Sequence, residues 1–313
     1  HKTLEIKTLV HGDDFVSVGE KESIVELKKM LEKRFEIKTT IAGSAEEEAK
    51  EVRVLNRNIR ITKEGWEYES DQRHAELLIE ELGLKDAKEV STPGEDEKKF
   101  EMSENAKEIN KVEVRKYRGM AARANFLAQD RPDIMYATKE ICRHMANPTV
   151  GAMKKIKRLG RYLKGRPRFV NRYDWQRRMD VIDGYCDSDW AGCRVTGKST
   201  SGGVIMVGSH FIKGWSRTQG SITLSSAEAE LVAMCKLSAE LIGVTTMMKE
   251  WGHHYEGYVY ADSSAALAIA KRKGSGKLRH INIGLLWIQE KRERSKLAFE
   301  KIKGENNPAD LLN

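Results

Sequence analysis

The sequence predicts an α+β chain that turns α/β in its second half: short paired strands, then helices, then a mixed sheet flanked by helices. Three observations carry this. Short runs of alternating apolar and polar residues mark 3–18 and 36–68 as strand-rich. Three stretches with apolar residues at helical spacing follow one another between residues 114 and 165. From Met179 onward, three strand candidates separated by glycine-containing turns give way to alternating helix and strand, an order that builds a mixed sheet with helices packed on it.

Composition bounds the class. A chain of 313 residues suits two domains, or one and a half. Its 40% apolar content supplies real cores, and its 33% charged content a heavily solvated surface. No uninterrupted apolar run approaches the roughly 20 residues of a membrane span, and no signal peptide opens the chain. These features point to an intracellular protein, not to a secreted or membrane-bound one. The chain opens at His1 inside a strand-like run, so it reads as an excised or processed piece. Cys142, Cys186, Cys193 and Cys235 show no Cys-x-x-Cys pairing and read as reduced, partly buried thiols.

The net charge of +8 is concentrated. Between residues 151 and 170 stand Lys154, Lys155, Lys157, Arg158, Arg161, Lys164, Arg166 and Arg168, with no acid. Those eight cations equal the whole excess of 55 basic over 47 acidic residues. A stripe of one sign is an electrostatic footprint for a polyanion. A helix face that merely meets water usually carries both signs.

In chain order, residues 3–10 and 15–18 read as strands around His11-Gly12-Asp13-Asp14. That turn is either a tight hairpin or one that presents carboxylates to a metal, and the residues alone favour the plain hairpin. A helix follows with Ile24, Leu27, Leu31 and Phe35 on one face. Lys63-Glu64-Gly65 turns a hairpin. Asp71 N-caps a helix carrying Ala75, Leu78, Ile79 and Leu82, which Gly83 closes. Residues 91–112 form a charged linker opened by Ser91-Thr92-Pro93-Gly94. Helices span 114–129, 132–146 and 149–165, the last carrying the basic stripe. Residues 175–178 join this part to the next, where strands lie at 181–187, 203–207 and 211–216. Then come a helix at 225–251, a strand at 258–261, helices at 262–271 and 281–294, a strand at 297–302 and a terminal helix from Asn307.

Four acids stand at element ends where their side chains can meet above one sheet edge. Asp187 closes a strand, Glu230 lies one turn into the long helix, Asp262 opens a helix directly after a strand, and Asp310 lies in the first turn of the terminal helix. Hard Mg²⁺, or Mn²⁺, takes oxygen ligands and keeps several waters, so a few close carboxylates suffice. A pair of such ions about 4 Å apart serves in-line phosphodiester displacement. Taken singly, Asp262 and Asp310 are equally well helix-start acids favoured by the dipole. Glu228, two residues from Glu230, faces another way on the helix. Asp189 reads as a surface acid or a support for its neighbours.

Asp187-Ser188-Asp189-Trp190-Ala191-Gly192, Lys198-Ser199-Thr200-Ser201-Gly202-Gly203 and Leu224-Ser225-Ser226-Ala227-Glu228-Ala229-Glu230 resemble the ribonuclease H domain of copia-type retrotransposon polyproteins. Lys277-Leu278-Arg279-His280-Ile281 and Pro308-Ala309-Asp310-Leu311-Leu312 continue the likeness. Upstream, His11-Gly12-Asp13-Asp14, Tyr117-Arg118, Phe126-Leu127-Ala128, Arg131-Pro132-Asp133-Ile134, Asn147-Pro148-Thr149 and Arg161-Tyr162-Leu163-Lys164-Gly165 are similar to the same polyprotein's reverse transcriptase. The resemblance implies a palm remnant (1–90), the linker (91–112), a basic thumb-like connection (113–175) and a ribonuclease H-like domain (176–313). It implies Asp187, Glu230, Asp262 and Asp310 as catalytic ligands of two Mg²⁺ ions, and Asp13 and Asp14 as polymerase carboxylates. It implies cleavage of the RNA strand of RNA–DNA hybrids. The hybrid would be held through Lys154, Lys155, Lys157, Arg158, Arg161 and Lys164, with Lys198, Ser199 and Thr200 as backbone contacts.

Two departures shape the expectation. His11-Gly12 replaces the family's usual Tyr before the polymerase acids, and the palm's earlier metal-binding Asp precedes the first residue here. DNA synthesis is therefore expected only of the full-length parent, with the missing part or another copy as partner. His280 reads as a structural or substrate contact rather than a ligand, and Trp190 and Trp215 as packing residues. Two rival readings are a catalytically silent nucleic-acid-binding or scaffold module and an integrase or transposase of similar fold. The latter fits less well, because such enzymes use three carboxylates in other local contexts.

Overall fold

The computed structural model describes residues 3–95, 106–276, 280–294 and 297–313. Much of the expected linker (96–105) and residues 277–279 of the Lys277–Ile281 motif lie outside them.

Among the described residues the strands form three sheets. The smallest is a hairpin of β1 (Lys7–His11) and β2 (Asp14–Val18), with His11 opposite Asp14 and Gly12 turning it at a φ of +59°. Helix α1 (Lys21–Glu32) follows and buries no residue. It stops before Phe35, which is 60% exposed instead of sharing the predicted apolar face.

The second sheet runs β3 (Glu51–Val54), β4 (Arg57–Ile61), β5 (Gly65–Glu69) and β6 (Val170–Asp174). The strand β6 corrects the sequence reading, which left residues 170–174 inside the helical region. Nothing local marks it; it is a strand because the free edge of β5 pairs with it antiparallel, Gly65 opposite Asp174. Between β5 and β6 run α2 (Arg73–Glu81), α3 (Lys111–Leu127), a 3₁₀ turn (Pro132–Ile134), α4 (Met135–Cys142) and α5 (Val150–Gly165). Gln72, not Asp71, occupies the cap position of α2, but the Asp71 carboxylate accepts the Arg73 N–H at 3.0 Å. Asn110 and Glu113 form a capping box on α3.

Arg131 is fully buried, and each nitrogen of its guanidinium fork donates a hydrogen bond. Nε and Nη2 donate to Asp133 at 3.0 and 2.7 Å, and Nη1 donates to the carbonyls of Arg166 and Pro167 at 3.0 and 3.3 Å. The Tyr162 hydroxyl donates to the same Asp133 carboxylate at 2.9 Å. The Arg-Pro-Asp-Ile motif is therefore a knot that ties the turn before α4 to the end of α5 and the approach to β6.

The third sheet has the order β11-β10-β7-β8-β9. Here β7 (Val181–Asp189), β8 (Thr200–Val207) and β9 (His210–Thr218) form an antiparallel meander. The strand β10 (Glu256–Ala261) lies parallel to β7, and β11 (Ala298–Lys301) parallel to β10. Helices α6 (Ser226–Glu250), α7 (Ser264–Lys271) and α8 (Trp287–Glu293) complete this half. The chain closes in a 3₁₀ segment (Pro308–Leu312) where an α-helix was expected.

Side chains on successive strand residues point to opposite faces. Ile182, Cys186 and Ile205 face a core with Leu231, Met234, Leu237 and Leu241 of α6 and Val259 and Phe299 of the parallel strands. Val204, Tyr185, Met206 and Phe211 face the other way, into a cluster with Tyr117, Met120, Ile141 and Leu159 of the upstream helices, which Ala309 and Leu312 join. The result is the predicted ribonuclease H-like mixed sheet flanked by helices, with the upstream helices covering its second face. By length and composition α6 is also long and apolar enough to cross a membrane. The sequence reading missed this because Lys236 and Glu240 interrupt the apolar run. Nine of its residues are buried, several of them in the core beneath the sheet.

Candidate active site

Because β7 and β10 run parallel, they end at the same sheet edge. Asp187 lies near the end of β7, and Asp262 directly follows β10. The third acid comes from α6. Ser225 caps this helix by accepting the Glu228 N–H at 3.2 Å, and Glu228 reaches back to the Leu224 N–H at 2.8 Å. Glu228 is thus spent on the cap, while Glu230, two residues on, points inward.

Asp187, Glu230 and Asp262 each offer an oxygen, and the three lie within 4.8 Å of one another. Asp187 is 8% exposed and Glu230 6%. The Ser188 N–H and hydroxyl both donate to Glu230 Oε1, at 3.0 and 2.9 Å. Glu230 Oε2 is buried without a hydrogen-bond partner among the described residues. Burial first, then the Asp187 and Asp262 charges, push the Glu230 carboxyl up to about 8, against the pull of Ser188. Burial also raises Asp187, reinforced by Asp262 and Asp310 and opposed by a hydrogen bond from the Asn313 side chain. An all-oxygen set of crowded carboxylates with one orphaned buried oxygen fits a hard divalent cation.

Neighbouring elements hold these acids in place. Lys301 Nζ of β11 donates to the Asp262 carbonyl and, at 2.6 Å, to Ser264 Oγ. A Cβ on Gly304 would stand 3.2 Å from Asp262 Oδ2, so glycine keeps that approach open. Asn307 Nδ2 donates to the Cys186 carbonyl at 2.9 Å while its Oδ1 accepts the Ala309 N–H at 3.2 Å, tying the last segment to β7.

No protein-family profile matches the chain. The retrovirus-related Pol polyprotein from transposon TNT 1-94 of Nicotiana tabacum is 28% identical over 314 residues, covering 97% of this chain. The Pol polyprotein from transposon RE1 of Arabidopsis thaliana is 27% identical over 248 residues, 78% of this chain. An uncharacterized mitochondrial protein of the same plant is 30% identical over 172 residues, 55% of this chain and 70% of that protein. The chain belongs to the Pol polyprotein family of copia-type retrotransposons. It spans 23% of the tobacco polyprotein and 16% of the RE1 polyprotein. Among solved structures, a ribonuclease H1 isolated from compost is 24% identical with a TM-score of 0.35, covering 43% of this chain and 93% of that one. The foamy viral protease-reverse transcriptase in complex with RNA/DNA hybrid is 11% identical with a TM-score of 0.49, covering 95% of this chain and 36% of that one.

The remaining predicted residues of this Pol chain fare unequally. Asp310 is exposed and lies outside the three-carboxylate group, because the 3₁₀ turn spends its inward positions on Ala309 and Leu312. It acts on Asp187 only through its charge. Asp13 and Asp14 are exposed on the β1–β2 hairpin, and among the described residues they join no group of three metal-ligating side chains. Ser199 and Thr200 are buried and cannot meet a nucleic acid. Ser199 Oγ accepts the Ala191 N–H at 3.0 Å, and Thr200 Oγ1 accepts from Lys139 Nζ at 2.8 Å. Lys198 Nζ donates to the Gly220 carbonyl at 2.6 Å, lacing two loops together.

The basic stripe divides. Arg158 pairs with Glu95 at 2.5 Å, Arg161 donates to the Lys88 carbonyl at 2.6 Å and Lys164 to the Ala87 carbonyl at 2.8 Å. These three fasten the segment after α2, and Lys155 lies 3.8 Å from Glu140. Lys154, Lys157, Arg166 and Arg168 stay exposed, Arg168 pairing with Glu69 at 2.5 Å.

Trp215 is buried against Gly203 as expected, but Trp190 is 53% exposed, its Nε1 donating to the Thr223 carbonyl at 3.2 Å. His280 Nε2 is 3.7 Å from Glu228 Oε2, beside the first turn of α6 and outside the carboxylate group. Asp189 accepts the Thr200 N–H and so supports the strand end. Sequence reasoning missed Ser188 and Asn307. A hydroxyl between two candidate acids, and an Asn before Pro at a predicted helix start, were the available signals.

Proposed function

We propose that this chain is a divalent-metal-dependent nuclease that cleaves the RNA strand of RNA–DNA hybrids, leaving 5′-phosphate and 3′-hydroxyl ends. The carrying observation is the convergence of Asp187, Glu230 and Asp262 from β7, α6 and β10, with Glu230 Oε2 buried and unpartnered. Asp187, Glu230 and Asp262 would hold the cation, Mg²⁺ or Mn²⁺, with Asp310 as the outlying acid of a two-ion site. When bound, such ions polarise a phosphoryl oxygen and supply a nucleophilic water at neutral pH. The chain's own work is to hold the acids close and to aim them. Ser188 fixes Glu230 Oε1 and leaves Oε2 for the ligand. The raised carboxyls of Asp187 and Glu230 imply that loading releases protons, so loading strengthens as pH rises.

The net charge of +8 and the exposed Lys154 and Lys157 support electrostatic hold on the duplex backbone, weakening steeply with salt. An intracellular setting, a particle or the nucleus, and polymerase activity in a longer parent belong to the same proposal. The test is cleavage of a labelled hybrid with Mg²⁺ by the wild type and by Asp262→Asn. Loss of cleavage in the variant is expected. Equal cleavage by both would sink the site assignment, and hybrid binding without metal-dependent stabilisation or cleavage would favour a silent binding module.

A further inference from the structure

Helix α4 belongs to the upstream half of the chain, yet its polar side reaches into the strand end beside the carboxylate group. The Lys139 side chain is only 10% exposed. Its Nζ donates to Thr200 Oγ1 at 2.8 Å and to Glu140 Oε1 at 2.7 Å, and lies 4.5 Å from the centre of the Tyr136 ring. Arg143 Nη1 donates to the same Glu140 oxygen at 2.9 Å, while its Nη2 donates to Cys193 Sγ in the loop between β7 and β8. Although burial alone would raise Glu140, these two cations hold it near 2. Glu140 is therefore a charged carboxylate at neutral pH, held between Lys139 and Arg143.

On the other side of the contact, Thr200 opens β8 opposite Asp189, whose carboxylate accepts the Thr200 N–H. Asp187 sits two residues back along β7, on the same face as Asp189 and opposite Gly202. A single run of contacts thus leads from α4 through Lys139 and Thr200 to the strand end that carries Asp187.

We infer that Lys139 is a positioning residue for the nuclease centre, fixing the β7–β8 strand end so that the placement of Asp187 in the C-terminal half depends on a side chain of the upstream half. A buried ammonium costs more to desolvate than an apolar side chain of its size, so simple filling of this space would favour Met or Leu. What the ammonium adds is a directed bond across two halves of the chain. Metal sites tolerate only about half an ångström of drift in their ligands, and misplacement by about 1 Å can cost on the order of a hundredfold in rate. A strut two residues from a ligand is where such drift would be controlled.

The inference rests on the nuclease reading, and its test separates the two. The full chain is prepared as wild type, Thr200→Ser, Thr200→Val, Lys139→Met and the Lys139→Met/Thr200→Val double variant. Hybrid-cleavage kcat and KM, Mn²⁺ affinity by electron paramagnetic resonance titration, and Tm are measured for each. Thr200→Ser keeps the hydroxyl and should stay within about twofold of wild type. Thr200→Val and Lys139→Met should each lower kcat about tenfold with KM within about twofold, and weaken Mn²⁺ binding several-fold; the double variant should be no worse than the worse single one. Effects that multiply in the double variant, or unchanged kcat and Mn²⁺ affinity where every variant is folded, would overturn the inference. Should Lys139→Met fail to fold, the Thr200→Ser and Thr200→Val pair decides alone. Should the wild type bind Mn²⁺ yet cleave nothing, the nuclease reading falls while the Mn²⁺ series still decides the positioning role.

Discussion

Asp13 and Asp14 sit at the tip of a two-stranded hairpin, both facing water. Asp187, Glu230 and Asp262 come from a strand end, a helix turn and a strand-to-helix junction, and their oxygens crowd within 4.8 Å. The residue types are the same, and each set stands in a motif that resembles a polymerase or nuclease signature. What separates them is enclosure. Carboxylates in water repel weakly and keep separate lives, whereas carboxylates driven together by a sheet and a helix have their charged forms penalised until a cation or a proton relieves them. An acidic motif becomes a site only when long-range packing supplies that compression.

The contrast can be broken or sharpened by substitution, starting with the largest effect. Asp187→Asn should lower Mg²⁺-dependent hybrid cleavage at least about a hundredfold, because the cation loses an anchor on which several kcal/mol of transition-state stabilisation depends. Single-turnover cleavage of a labelled hybrid reads this, and near-wild-type rates would show that the compression serves no chemistry.

Next comes Glu230→Gln, read by thermal unfolding in chelator. The folded carboxyl is raised from 4.5 to about 8, so its stabilising contribution is complete below pH 4.5 and is lost as pH climbs through about 8. The metal-free variant should therefore be more stable than wild type at pH 8 by on the order of a few kcal/mol, with the gap closing towards pH 4.5. Added Mg²⁺ should raise the wild-type Tm and leave the variant's nearly unmoved. A gap that widens on acidification would contradict the assigned cause.

Asp310→Asn tests the outlying acid. Exposed and coupled to Asp187 only by charge, it should cost about tenfold or less in cleavage rate. A loss as deep as that of Asp187→Asn would show that the last turn moves inward when the site is loaded. The smallest effect is expected of the Asp13→Asn/Asp14→Asn pair: a stability change within about 0.5 kcal/mol and unchanged hybrid cleavage, measured by denaturant unfolding and the same cleavage assay.

These differences explain what could be read from sequence. The three converging acids were legible because each stands at an element boundary written in local residues: the apolar strand before Asp187, the Ser225 cap before Glu230, the strand before Asp262. Choosing Glu230 over Glu228 needed only the helical period. Asp310 was misjudged because its placement depends on how tightly the last turn winds. Ser199 and Thr200 look like a polar turn until β8 is seen to begin there, under α4. Arg158, Arg161 and Lys164 look like a duplex footprint until the segment at 87–95 is laid against them. The strand β6 exists only because β5 offers it an edge. Apart from Asp310, each miss turns on a partner distant in the chain, which a local pattern does not encode.

The cluster in which Val204, Ala309 and Leu312 meet the upstream helices bears on how the molecule comes into being. On the ribosome, α3, α4 and α5 emerge well before β8 and the 308–312 turn, so part of their apolar surface must wait wet for a cover not yet synthesised. Neither half can then ripen into a finished domain ahead of the other; they should lock together in one late, concerted step and melt in one transition. A cut near residue 175 would release two sticky pieces rather than two small proteins.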